Sequence, residues 1–414
     1  MNNSVKKISS PPGKEVPSMK ERGWREVFFP EKSWGEASSS ENSCGEILNI
    51  GIIGAGSFAA FAIKSFLQIP GVKIIAVTDI DNASAWQMAK ENDAKVYADV
   101  KTFLEDENID LVYIATPPFL HYEQSKMALI AGKHVICEKP AALKTSEAEE
   151  LCSLAASPQL LYVVNLMQRY NPLYGVVNKI VKQKILGNFL HGFFENYASD
   201  ENLAPGHWFW DETKSGGIFI EHGVHFFDMF SGWLGEGKVV NALQLQRRGV
   251  EEKITDRVQS TVLYEEGTVN FYHGFDQPKI LDRQEMRLEF ERGEITLYEW
   301  VPVKMRLHGL IKNEQLEYLK EIIGDCEVVY NAHAQTKNQK VKGRFAKINF
   351  DKEITLECGD VTGKQHRYGQ LLTSMLTDQW NWIQDSRHKR IIDESNAVES
   401  LRMAEEATKI SLKF

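Results

Sequence analysis

ILNIGIIGAGSFA, residues 47–59, is a short, almost unbroken apolar run that ends in glycines. A strand buried on both faces reads this way, and such strands belong to parallel sheets. Residues 57–69 continue with a helical pattern that closes at Pro70-Gly71. The same alternation then repeats outward along the chain. KIIAVTDI (73–80), DLVYIATPP (110–118), HVICEKP (134–140) and LLYVVNLM (160–167) read as strands. NASAWQMAKEN (82–92), residues 120–131 and residues 145–157 read as helices between them. Strands alternating with helices predict a doubly wound α/β sheet.

After about Arg169 the pattern changes. A helix over roughly 171–185 is followed by longer strands with alternating polar and apolar positions: NFLHGFFENYA (188–198), VVNALQLQRRG (239–249), DRVQSTVLYEEGTVNFYHGF (256–275) and EMRLEFERGEITLYEW (285–300). That alternation predicts a mainly antiparallel sheet with one wetter face. Residues 325–364 are less patterned, and two helices close the chain, at about 366–385 and from Asn396 onward. The expected division is a 1–46 extension, a first domain over 47–168 and a second over 169–414, whose last helix packs back on the first. The extension is rich in Ser, Pro, Glu and Lys around an aromatic middle. It reads either as a disordered tail or as an arm whose Trp24, Phe28, Phe29 and Trp34 pack on another subunit.

Composition narrows the class. The 414 residues are 43% hydrophobic and 25% charged, with a net charge of −9, which is ordinary globular composition. No basic stripe marks a nucleic-acid partner, and no apolar run approaches a membrane span. Residues 1–46 have no continuous apolar core, so no secretory signal is expected. The 5 cysteines are scattered and odd in number, so reduced thiols and a cytoplasmic location are the expectation.

Gly54-Ala55-Gly56-Ser57-Phe58-Ala59 is a GxGxxA turn between a buried strand and a helix. The first glycine permits the tight turn, the second lets backbone approach a pyrophosphate, and the small last residue lets helix and strand pack. Phosphates then sit on free N–H groups at the helix start. Asp79 ends the second strand about twenty residues on, where a carboxylate accepts from a ribose hydroxyl and repels a 2′-phosphate. That favours NAD over NADP, although "DIDN" is also a plain turn signal. Thr116-Pro117-Pro118 and Glu138-Lys139-Pro140 end strands on the side where ligands bind such sheets. Lys139 there would stand beside a nicotinamide, with Glu138 orienting it, and could hold or exchange a substrate proton. The tripeptide read alone is equally a polar strand exit.

GIIGAGSFA, ATPPFLH, AGKHVICEKP, MQRYNP and SGGIFIEHGVHFFD, in this order and spacing, resemble the glucose–fructose oxidoreductase / inositol dehydrogenase / MocA (Gfo/Idh/MocA) family. The resemblance runs from about residue 47 to the C-terminus and is clearest up to Asp228. It implies an N-terminal Rossmann doubly wound parallel sheet and a C-terminal α/β domain with an open, mostly antiparallel sheet. It also implies assembly through that sheet into a homodimer or homotetramer. Cofactor contacts are implied for Gly54, Gly56, Ser57, Phe58, Asp79, Thr116, Pro117, His121, Glu138 and Lys139. Where many members carry Thr-Pro-Asn, this chain has Pro118 as the third residue.

Within residues 215–228, a helix would place Glu221 and His225 on one face at i, i+4, and His225 and Asp228 at i, i+3. A carboxylate beside an imidazole fixes its tautomer and favours its protonated form, which suits the base of an alcohol oxidation. The family resemblance implies an Asp–His dyad here, with Glu221 replacing the aspartate. A satisfied core pair without chemistry, and a zinc site of Glu221, His222 and His225, are the competing readings; no metal is expected. Trp208 and Trp210, with His207 and Asp211, read either as an aromatic and polar wall for a sugar or as packing of the helix against the sheet, and His222 either as a substrate-pocket residue or as a helix cap. Tyr170, Asn165 and Gln168 are placed at the domain junction as cleft residues. The reading is an NAD(P)-dependent oxidoreductase acting on a secondary alcohol or ketone of a sugar, inositol or cyclic polyol. A glycosidase or lyase with tightly held NAD, and a non-catalytic NAD-responsive sensor, are the alternatives.

Overall fold

The computed structural model describes residues 47–157, 159–248, 253–330, 339–343, 347–360 and 362–414; the proposed N-terminal arm lies outside them. The opening apolar run forms β1 (Leu48–Ile53), and the glycine turn leads into α1 (Ser57–Phe66). Then come β2 (Val72–Thr78), α2 (Asn82–Asn92), β3 (Lys95–Tyr97), α3 (Val100–Leu104), β4 (Leu111–Ile114), α4 (His121–Ile130), β5 (His134–Cys137), α5 (Thr145–Ala156) and β6 (Tyr162–Val164). These strands make a parallel sheet in the order β3-β2-β1-β4-β5-β6. β3 and α3 had no counterpart in the sequence reading, because three strand residues with two exposed carry no periodic signal.

The sheet reverses its winding between β1 and β4, so a crevice opens at the carboxyl ends of these strands. Two glycines are fixed by close approach. A Cβ at Gly51 would lie 2.4 Å from the Phe103 ring. At Gly54, φ is +98° and a Cβ would lie 2.8 Å from the Ala115 backbone. The turn after β1 is thus pressed against the strand exit that carries Thr116.

The second half begins with α6 (Pro172–Lys182), capped by the Asn171 side chain on Leu173 N. It continues with β7 (Phe189–Tyr197), the short α7 (Glu212–Ser215), a π-turn over Phe219–Gly223 and α8 (Val224–Leu234). Strands β8 (Lys238–Gln246), β9 (Thr255–Leu263), β10 (Thr268–Gly274), β11 (Arg283–Phe290), β12 (Gly293–Tyr298) and β13 (Lys304–Ile311) follow, then α9 (Asn313–Ile323). The poorly patterned stretch holds β14 (Glu327–Tyr330), β15 (Gln339–Lys342), β16 (Lys347–Phe350) and β17 (Lys352–Gly359). Last come α10 (Lys364–Gln384), α11 (Glu394–Ile410) and β18 (Leu412–Lys413).

The large sheet runs β14-β17-β13-β12-β11-β7-β10-β9-β8-β18. Its pairs are antiparallel except β7 with β10 and β8 with β18. One face is covered by α8, whose Phe226 stacks on Phe194 and whose Phe227 and Phe230 meet Phe271 edge-on. The other face carries charge ladders such as Arg287 with Glu285 and Glu294, and Arg306 with Glu294. The closing helices return to the first sheet: Thr373 in α10 donates to Ser65 O of α1, and Thr145 at the start of α5 donates to Glu405 of α11. No described helix is long and apolar enough to cross a membrane.

Candidate active site

A cavity of about 1210 Å³ fills the crevice between the two sheets. Gly54, Gly56, Ser57 and Phe58 of the glycine turn line it, with Asp79, Thr116, Pro117, Glu138 and Lys139 from the exits of β2, β4 and β5. Glu221, His222 and His225 line it from the other side. Lys139 and His225, from different sheets' layers, therefore border one space.

The glycine turn fits a dinucleotide pyrophosphate. A Cβ built on Gly56 meets nothing within 4 Å, so the backbone there faces open cavity. The N-cap makes no side-chain bond and the first turn of α1 has no acid, which leaves N–H groups for an anion. Asp79, assigned to a ribose from sequence, has a structural role in the fold. Its Oδ2 accepts from Ala55 N at 2.6 Å and its Oδ1 from Asp81 N at 2.7 Å, so it pins the glycine turn. His121 is no cavity residue, contrary to its placement among the cofactor contacts. It is buried, and its ring nitrogens meet Thr116 O and Pro140 O, each at 2.7 Å, tying together the loops that carry Thr116 and Lys139.

The expected Glu221–His225 dyad is not made. Glu221 sits in the π-turn, and the Lys139 amine bonds both its carboxylate and, at 2.6 Å, its backbone carbonyl. Asp228 likewise turns away from His225, taking the Arg169 guanidinium in a two-bonded buried pair at 2.8 Å. A carboxylate bonds a full cation more strongly than a neutral imidazole, and both cations come from outside the helix. Among the described residues His225 Nδ1 is buried and without a partner, so Nε2 is the nitrogen that meets the cavity. Burial, and then the nearby Lys139 charge, hold its pKa well below the ordinary value. The ring is held neutral and lacks the carboxylate partner expected from sequence to favour its protonated form. The Glu138 carboxylate is engaged by Tyr113 and by Asn165 Nδ2, at 2.7 Å for the latter, and burial raises its pKa.

Among the other residues singled out, Trp208, Trp210 and His207 line the cavity, while Asp211 caps α7. Tyr170 does not reach it; its hydroxyl donates to buried Asp378. Gln168 also stays behind the wall, donating to Trp300 O at 2.7 Å. A three-ligand metal site is not formed, since Glu221 faces Lys139 and His222 Nδ1 faces His273 Nδ1 at 2.9 Å. Among the described residues no group of three or more metal-binding side chains converges.

The sequence reading missed one wall. Phe58, Tyr368, Trp300 and His225 form an aromatic chain with centroid spacings of 5.8, 5.1 and 6.1 Å from the glycine turn to the imidazole. Trp300 is presented by Glu299, whose φ of 74° lies in the left-handed region. A non-glycine residue there costs on the order of 1–3 kcal/mol. Glu299 N bonds Gln284 O at 3.0 Å, and Lys364 bonds the Glu299 carboxylate at 2.7 Å, which hold the turn. The sequence alternation reads as a strand through Trp300, whereas β12 ends at Tyr298, so the turn at Glu299 goes unannounced.

Comparisons with known proteins agree with the architecture. Residues 48–166 match "Oxidoreductase family, NAD-binding Rossmann fold", and residues 176–296 match "GFO/IDH/MocA C-terminal domain". Levoglucosan dehydrogenase of Pseudarthrobacter phenanthrenivorans is 29% identical over 212 residues, covering 47% of this chain and 53% of that protein. The scyllo-inositol 2-dehydrogenase (NAD(+)) of Bacillus subtilis is 25% identical over 215 residues, covering 49% of this chain and 61% of that protein. The chain spans about half the length of the curated relatives it matches. KijD10, a 3-ketoreductase from Actinomadura kijaniata solved with NADP and TDP-benzene, superposes with a TM-score of 0.68 at 15% identity, covering 89% of this chain and 99% of that one.

Proposed function

Because the chain belongs to the GFO/IDH/MocA oxidoreductase family, we propose that it moves a hydride between a nicotinamide dinucleotide, NAD in preference to NADP, and a secondary alcohol or ketone carbon of a sugar, inositol or related cyclic polyol. The observation that carries this is the shared cavity of Lys139 and His225, continuous with the glycine turn. The relatives' names, a levoglucosan and an inositol dehydrogenase, support the substrate class. The bound dinucleotide supplies the hydride acceptor in oxidation. The chain does the rest. Lys139, held by the carbonyl and carboxylate of Glu221, donates to the substrate oxygen and steadies the charge that develops there. His225, neutral and facing the cavity, takes the hydroxyl proton on Nε2 as the hydride leaves the same carbon. The π-turn places Glu221 against Lys139 while His225 opens on the cavity; such turns recur at functional sites. The charged uncovered sheet face is the surface through which we expect homodimers or homotetramers to form.

The direct test is a panel of sugars, inositols and cyclic diols with NAD⁺ and NADP⁺, followed at the reduced-nicotinamide absorbance. Net reduced cofactor is expected with at least one neutral polyol; product formation without it would instead indicate a hydride returned in each cycle. A second expectation concerns the cofactor. Asp79→Ser removes the carboxylate that repels a 2′-phosphate, so kcat/KM with NADP⁺ should rise relative to NAD⁺ by about tenfold or more. It also frees Ala55 N, so absolute affinity for both cofactors should fall. An unchanged NADP⁺/NAD⁺ ratio would count against the ribose role.

A further inference from the structure

Along β7, β10 and β11 the covered face of the large sheet is apolar until its last row. Phe194, Phe271 and Met286 are fully buried on neighbouring strands. One pleat nearer the crevice, the same face carries Asn196, His273 and Gln284, at 2%, 0% and 8% exposure. They stand side by side: Asn196 is in register with His273 of β10 on one flank and Gln284 of β11 on the other. Asn196 and Gln284 line the cavity, and His273 backs the cavity residue His222 through the 2.9 Å contact between their Nδ1 atoms.

Three polar side chains in register break the apolar pattern that this face keeps along β7, β10 and β11, and such breaks mark sites. Their bonding capacity is unspent. Asn196 uses Nδ2 on Gly274 O at 3.2 Å, leaving Oδ1. The Gln284 amide has no hydrogen-bond partner among the described residues. Both residues line the cavity, so a ligand's hydroxyl can reach and bond these free groups. Between two Nδ1 atoms one must donate and one accept, so His273 fixes whether His222 offers a donor or an acceptor to the cavity. Burial, first among the causes, keeps both rings below the ordinary histidine pKa, so the pair stays neutral.

The surrounding charge selects further. Asp200, Glu201 and Asp282 line the same half. The lysines that line the cavity, Lys139 and Lys364, are paired with Glu221 and Glu299. Among the described lining residues there is no arginine. A phosphate or carboxylate substituent would find carboxylates and no free cation.

We infer that Asn196, Gln284 and His222, the last positioned by His273, form a recognition row for the hydroxyls of an uncharged polyol ring on carbons other than the one oxidised, and that the cleft rejects phosphorylated and carboxylated rings. This rests on the hydride-transfer reading of the same cavity. It is tested by binding, not turnover. The NADH-saturated protein is titrated with myo-inositol, glucose, glucuronate and glucose 6-phosphate, and the tryptophan emission of the cavity is followed. A neutral ring should bind at least tenfold tighter than the anionic rings. Gln284→Leu should weaken that ring about tenfold with dinucleotide affinity unchanged, and should no longer distinguish it from its deoxy analogues. Gln284→Glu, which keeps the shape, should sharpen rejection of glucuronate. His273→Asn, which keeps a polar atom near the Nδ1 position, should retain binding that His273→Phe loses; equal loss in both would reduce His273 to packing and remove it from the row. Anionic rings binding as tightly as neutral ones, no neutral ring binding, or a Gln284→Leu variant with wild-type discrimination would overturn the inference. Neutral rings that bind as described but are never oxidised would defeat the hydride-transfer reading and leave this one standing.

Discussion

Lys139→Met is expected to lower kcat by about 10³-fold while the dinucleotide dissociation constant stays within a fewfold of wild type. The amine is the strongest donor at the exit of β5, and Glu221 aims it with two bonds from the far side of the cavity. Methionine keeps the length and the apolar stem and removes that donor. The glycine turn, 83 positions earlier at Gly56, is held by Asp79 and by the β4 exit, so it does not depend on the amine. Lys139→Arg should rescue little, because a planar fork cannot occupy the place of a compact ammonium between two Glu221 oxygens. Glu221→Gln separates the two pairings considered for this glutamate. If it aims Lys139, with which it is paired, the substitution should lower activity by roughly tenfold without moving the acid limb of the pH profile. If it tuned His225, that limb would shift. Full activity in Lys139→Met would end the proposed chemistry.

Much of this was legible in the chain because the signals are local. The apolar run at 48–53 and its glycines identified the parallel sheet, and Asp81 as N-cap with the left-handed Asp93 bounds α2 at residues 82–92, where the pattern places it. The loop-end position of Lys139 follows from strand grammar alone. What failed was pairing. Helical spacing puts Glu221, His225 and Asp228 on one face, but the partners that win are Lys139, 82 residues away, and Arg169, 59 residues away. No periodicity within the helix reports a competing cation from another layer. The row of Asn196, His273 and Gln284 did leave a trace. Each sits at a position where its strand's alternation calls for an apolar residue, as after Phe194, after Phe271 and before Met286. Finding it required the strand order, since β7 and β10 are parallel neighbours separated by α8 and two intervening strands. The wall of Trp300 and Tyr368 needed the left-handed turn at Glu299, which a side chain that tolerates neither glycine's freedom nor asparagine's does not announce.

His225→Asn should lower kcat for alcohol oxidation by about 10²- to 10³-fold and, at the same time, make the protein less sensitive to acid. The two effects share one cause. Burial and the Lys139 charge depress the imidazole pKa in the folded chain, whereas in the unfolded chain it returns to about 6.5. Above that value neither state holds the proton, and the full stability is present. As pH falls below about 6.5 the unfolded chain takes up a proton that the folded chain refuses. Stability therefore drops by up to about 1.4 kcal/mol per pH unit for each such histidine until the folded value is reached. His222 and His273, the latter held down to about 3, add to the same slope. Asparagine at 225 removes one of these groups, so the denaturation midpoint should fall less steeply between pH 6.5 and 5 than in wild type. In wild type, kcat should not lose its base at the ordinary histidine value, because the folded imidazole is still unprotonated there. Denaturant melts across that pH range, set beside the rate profile, check both halves. A wild-type acid limb centred near 6.5, or a variant with the same acid slope as wild type, would mean that the ring is solvated and partnered, and the base would have to be sought elsewhere in the cavity.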